Sequence, residues 1–137
     1  MHSYSPYDFC GKPTTTSYDA NVIDSWVTSL SNWATARNRS ILVGEFGCRT
    51  SQTNTSGRYE WYSEMVQHCR SKGWAMTVWD DSGGFALLDR DSGVWDAQAL
   101  RALGLERRAR AAGLAIGELP AAGPCAAEGA CSDEKRG

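Results

Sequence analysis

The sequence predicts an α/β fold in which parallel strands are covered by helices. Three observations carry this. Ile41-Leu42-Val43 is a run of branched apolar residues without polar alternation, which is how a short strand buried on both faces reads. Trp74-Ala75-Met76-Thr77-Val78-Trp79 reads as a second buried strand. The segments flanking these runs place apolar residues at helical spacing. Strand and helix therefore alternate through short loops, the order that gives right-handed parallel units.

Taken in order, His2 to Tyr4 resembles the last residues of a strand, and a loop with Pro6, Gly11 and Pro13 follows. A helix is expected from residue 19 or 20 to 37, with Ile23, Trp26, Leu30 and Trp33 on its core face. The strand at 41–46 comes next, then a loop rich in Ser, Thr and Asn. A second helix over 58–72 carries Tyr62, Met65, Val66 and Cys69 at i, i+3, i+4 and i+7. Cys69 therefore reads as core. Gly73 sits where a left-handed residue closes a helix. After the strand at 74–79 come Asp80, Asp81 and a glycine-bearing loop to Gly93. A short helix is expected over 95–103, stopped by Gly104.

Composition bounds the rest. A chain of 137 residues with 42% hydrophobic and 22% charged content is the size of one ordinary domain. A net charge of −2 gives no reason to expect nucleic acid or an anionic membrane as partner. No apolar run approaches the length of a membrane span. Residues 1–4 lack a basic stretch leading into an apolar one, so no signal peptide is expected. The five cysteines lack zinc spacing and are expected as free thiols, with Cys10–Cys48 as the weaker, paired alternative. All fourteen aromatic residues lie at or before Trp95. Residues 105–137, dominated by Ala, Gly, Pro, Arg and Glu, can bury little area to offset their ordering entropy. They are expected as a low-complexity, disordered tail, apart from a weak helical tendency over 105–119. Cys125 and Cys131 read as incidental.

Polar and aromatic residues collect past the ends of the strands: His2 and Tyr4, then Glu45 between Gly44 and Gly47, then Trp79 with Asp80 and Asp81. In a β/α barrel that end carries the active site. An ionised carboxylate is costly to bury unpartnered. Glu45 therefore either faces an open site or holds a loop through backbone N–H groups. Taken singly, Trp79 reads as a core residue and His2 as a residue without a role.

His2-Ser3-Tyr4-Ser5-Pro6, Val43-Gly44-Glu45-Phe46-Gly47 and Trp79 with its acidic loop together resemble the last three strands of glycoside hydrolase family 5, the cellulase-like (β/α)8 enzymes. Arg58 and Trp61, opening the helix after the glutamate strand, and Trp95 before the closing helix agree. The resemblance covers residues 1–103 and implies a partial TIM barrel, strands six to eight with their helices over 1–104, followed by the tail at 105–137. It implies that Glu45 is the nucleophile of a retaining glycosidase, that Tyr4 hydrogen-bonds it, and that His2 lines the subsite where the sugar is cleaved. Trp79 becomes the platform under that sugar, with Asp81 beside it in the substrate-binding set. No metal and no cofactor are implied. The partner is a β-linked polysaccharide or oligosaccharide, and family members are usually secreted.

The chemistry suits these residue types. A retaining enzyme attacks the anomeric carbon with one ionised carboxylate, and donors such as Tyr4 and His2 favour the charged form. A second carboxylate, the general acid/base, is needed about 5 Å away. The family supplies it in an Asn-Glu pair, and that dipeptide does not occur in these 137 residues. A full barrel takes about 250 residues. The expectation is therefore an incomplete fragment, inactive alone and marginally stable. The alternatives are a non-catalytic carbohydrate-binding piece and a non-functional truncated product.

Overall fold

The structure, a computed structural model, describes residues 1–55 and 57–119. The element order is β1 (His2–Ser3), a π-helical turn (Tyr7–Gly11), α1 (Asn21–Arg37), β2 (Leu42–Phe46), α2 (Gly57–Ser71), β3 (Ala75–Val78), β4 (Leu88–Asp89), β5 (Val94–Trp95), α3 (Ala97–Ala102) and α4 (Glu106–Ala111). The first three strands form one parallel sheet in the order β1-β2-β3. β4 and β5 form a separate antiparallel pair.

One face of the parallel sheet is packed and the other is bare. Val43 and Phe46 are buried with Ile23 and Val27 of α1 and Trp61, Tyr62, Met65, Val66 and Cys69 of α2. Leu42, by contrast, is 57% exposed, and Ala75 and Thr77 of β3 are exposed as well. The expectation of strands buried on both faces is therefore corrected. Unbroken apolar runs suit a sheet covered on both sides, but here helices cover only one.

Two residues facing the same layer of a regular strand are two apart. Val43 and Phe46 are three apart and both buried. The register accounts for this: Val43 pairs with Met76 and Phe46 with Val78, so β2 carries one extra residue between them. Such a bulge re-aims the side chains around it. Without it, Glu45 would share Val43's face and point into the helix layer.

Several boundaries differ from expectation. The buried face of α1 is Ile23, Val27 and Ala34, with Trp26 half-buried and Trp33 46% exposed. The aromatic stripe lies at the rim of the packed face because smaller residues fit nearer the sheet. Trp95 belongs to β5, and α3 begins after Asp96, whose carboxylate accepts from Ala99 N. Gly73 adopts φ +66° at the end of α2, as its position suggests. Residues 105–119 are folded: α4 buries Ala109, and Trp95 N donates to Ala115 O while Gly117 N donates to Trp95 O. Backbone pairing to β5 orders a segment with few large side chains. The disorder expected from Pro120 onward, and the readings of Cys125 and Cys131, lie outside the described residues.

The free-thiol expectation fails for two cysteines. Cys10 and Cys48 are bonded, with Cα atoms 4.1 Å apart, because the loop after β1 and the end of β2 run side by side. Arg49 N donates to Cys10 O at 2.8 Å, and Asn54 Nδ2 donates to both Phe9 O and Arg49 O. Cys69 is free and buried.

Candidate active site

Glu45 pairs in register with His2 across the β1–β2 ladder. Parallel neighbours in register bring side chains on one face together. His2 Nδ1 lies 3.5 Å from Glu45 Oε1, and the Tyr4 hydroxyl, just past the end of β1, donates to the same oxygen. The Glu45 side chain is 21% exposed, so it meets both partners and solvent. Burial first, and the neighbouring Glu45 carboxylate second, push the Tyr4 phenol well above the usual tyrosine range. Tyr4 therefore stays protonated and can only donate to Glu45 near neutrality.

Gly47 is where the other parts converge. A Cβ placed there would lie 3.2 Å from Phe85 Cδ1 and 3.4 Å from both Trp79 Cβ and Tyr4 Cε1. Of these, only the Phe85 contact is tighter than ordinary, so a side chain at this position would have to displace that ring slightly. At Gly44 the nearest atom to such a Cβ is Met1 O at 3.8 Å, ordinary contact. Trp79 extends the ladder by one bond, from its N to Phe46 O at 2.7 Å, and the residue is 41% exposed.

The structure thus brings His2, Tyr4 and Glu45 together and sets Trp79 beside them across Gly47. Asp81 lies near enough to Tyr4 for its charge to act on the phenol, and it also closes a turn. Its Oδ1 accepts from Gly83 N at 2.8 Å and Phe85 N at 3.0 Å, closing the turn after β3. Asp80 accepts from Leu87 N and pairs with Arg90 at 3.2 Å. Sequence reasoning passed over Phe85, whose ring meets that of Tyr4 edge-on at 5.2 Å. An aromatic residue four places beyond the strand-ending aspartates carries no periodic signal. Glu64 accepts from Tyr18 on the helical side. Two surface clefts, one beside Tyr59, Glu60 and Gln98 and one between Asp89 and Gly117, are lined by none of the four site residues. Among the described residues no helix is long and apolar enough to cross a membrane.

Parallel strand–helix units with polar side chains gathered past the strand ends place the chain in the β/α-barrel class. The sequence model of cellulase (glycosyl hydrolase family 5) matches residues 1–83, and the chain belongs to that family. It is 27% identical over 112 residues to endoglucanase H of Acetivibrio thermocellus, and 27% identical over 102 residues to endoglucanase B of Neocallimastix patriciarum. These matches take in 75% and 67% of this chain but span only 12% and 21% of those relatives. Among solved structures, a broad-specificity endoglucanase from Ruminococcus champanellensis with bound cellotriose superposes with a TM-score of 0.62. It is 28% identical, over 75% of this chain and 33% of that one. Thermotoga maritima Cel5A in complex with mannotriose shares the fold at a TM-score of 0.65 and 20% identity, over 75% of this chain and 38% of that one.

Proposed function

We propose that this chain carries the nucleophile side of a retaining β-glycosidase site of the endoglucanase type. Glu45 attacks the anomeric carbon, Tyr4 holds it by hydrogen bonding with His2 3.5 Å from the same oxygen, and Trp79 packs on the apolar face of the sugar. The observation that supports this most directly is the convergence of Tyr4 and His2 on one oxygen of Glu45. The other oxygen is left for attack. A donor that stays protonated keeps that carboxylate oriented without neutralising it.

The general acid/base is, in this reading, supplied by polypeptide outside this chain. Asp80 and Asp81, the acids nearest in sequence to Trp79, are engaged by the turn after β3. The barrel portion runs to about Gly104, and the segment from Leu105 onward is an appendage to it. The substrate class is a β-linked glucan or oligosaccharide, by analogy with the endoglucanase relatives. The purified chain is expected to give no turnover of a soluble β-glucan. Turnover that disappears in Glu45→Gln would contradict the missing acid.

Trp79's exposure also favours a second reading, carbohydrate binding without catalysis. Saturable oligosaccharide binding in a chain whose Glu45 cannot be esterified by an activated glycoside would select it.

A further inference from the structure

We propose that Phe85 is a positioning residue that keeps the Tyr4 hydroxyl aimed at Glu45. This rests on the reading of Glu45 as nucleophile but makes a separate claim about a residue in the loop after β3.

The geometry forms a chain of restraints. Asp81 Oδ1 accepts from the N–H groups of Gly83 and Phe85, and Thr50 N donates to Gly84 O at 2.6 Å. The loop is thereby tied to itself and to the segment beyond the end of β2. Phe85 is carried to the space over Gly47, where its ring stands edge-on to Tyr4 with centroids 5.2 Å apart and planes at 63°. Edge-to-face aromatic pairs are favoured beyond the area they bury, and this one favours a single orientation of the Tyr4 phenol. A Cβ at Gly47 would press on the Phe85 ring at 3.2 Å and touch the Tyr4 ring at 3.4 Å. Tyr4 is thus held by Gly47 below, Phe85 on one side and Glu45 at its tip. Asp81 thereby acts on Tyr4 through Phe85.

Removing the Phe85 ring admits water to Tyr4. Burial is the largest cause of that phenol's raised pKa, and the charged or titratable groups around it are Glu45 on β2, Asp81 in the loop and Tyr62 on α2, with His2 on β1 reaching the same carboxylate. The measurement is the absorbance titration of Tyr4, taken as the difference between each chain and its Tyr4→Phe counterpart. It is paired with the pH profile of Glu45 esterification by a dinitrophenyl 2-deoxy-2-fluoro-β-cellobioside. Phe85→Ala should shift Tyr4 ionisation to lower pH and slow esterification on the order of tenfold, as small misplacements of catalytic groups do. Phe85→Tyr, which keeps the ring edge, should preserve both. Phe85→Leu retains apolar bulk without the ring and decides the matter if the alanine variant does not fold. An unchanged Tyr4 titration in folded Phe85→Ala or Phe85→Leu overturns the proposal. Absence of esterification in the unsubstituted chain counts against Glu45 as nucleophile and leaves the titration to judge Phe85.

Discussion

Arg58 and Asp96 meet at 3.1 Å although they lie 38 residues apart in sequence. Arg58 is 2% exposed. Its Nε donates to Cys48 O at 2.8 Å, and the guanidinium also stacks between the rings of Tyr59 and Tyr62. One side chain thereby joins the end of β2 to the cap of α3. Removing one partner of a buried pair strands the other charge. Arg58→Met should destabilise the chain by about 3 kcal/mol in urea unfolding. Asp96→Ala should cost more than the ~1 kcal/mol of an ordinary helix cap, and Asp96→Asn less than Asp96→Ala. Equal costs for the two Asp96 variants would show that the cap hydrogen bond adds nothing, and an Asp96→Asn variant as stable as the unsubstituted chain would show that the ion pair adds nothing.

The disulfide spans 38 residues, from the loop after β1 to the end of β2. Closing a loop of that length restricts the unfolded chain by about 3–4 kcal/mol. Reduction with dithiothreitol, or the paired change Cys10→Ala with Cys48→Ala, should lower unfolding free energy by that order. A midpoint unchanged by reduction would contradict the pairing.

Burial pushes the Cys69 thiol up from 9.0 to about 11. The folded chain holds this proton more tightly than the unfolded one. The associated stability is complete below pH 9 and is lost as pH climbs towards 11. Comparing urea midpoints of the chain and Cys69→Ala at pH 8 and pH 10.5 isolates the effect. The unsubstituted chain should lose more stability over that interval than the variant, and equal losses would contradict it.

Trp79 is exposed enough that Trp79→Ala should leave unfolding within about 0.5 kcal/mol. A sugar covering about 60 Å² of the ring gains ~1.5 kcal/mol, roughly tenfold in Kd. Calorimetric titration with cellotriose should show that loss in Trp79→Ala. An unaltered affinity would remove Trp79 from the substrate surface.

The periodic features were the most legible in the sequence. The stripe of Tyr62, Met65, Val66 and Cys69 is buried as a unit, because helical spacing translates directly into a face. The family resemblance was legible from His2, Tyr4, Glu45 and Trp79, which lie in three short motifs at strand ends. The bulge at Gly44–Glu45 was not: register depends on the partner strand, and nothing in Val43-Gly44-Glu45-Phe46 announces an extra residue. The bare face of the sheet was equally hidden, since apolar composition states what can be buried and not what is present to cover it. The hydrogen bonds of Asp81 to Gly83 and Phe85 were also hidden, since they depend on turn geometry that many acidic loops share. The order in 105–119 comes from backbone pairing with Trp95, which composition does not record.

The central claim is that Glu45 can attack an anomeric carbon. A dinitrophenyl 2-deoxy-2-fluoro-β-cellobioside tests it with no need of a general acid, because dinitrophenolate departs unprotonated as the Glu45 oxygen bonds to C1. Mass spectrometry of the treated chain should find one added fluorocellobiosyl group, mapped to the peptide holding Glu45 and missing from Glu45→Gln. A folded chain that remains unmodified, or one modified at another residue, would contradict the account.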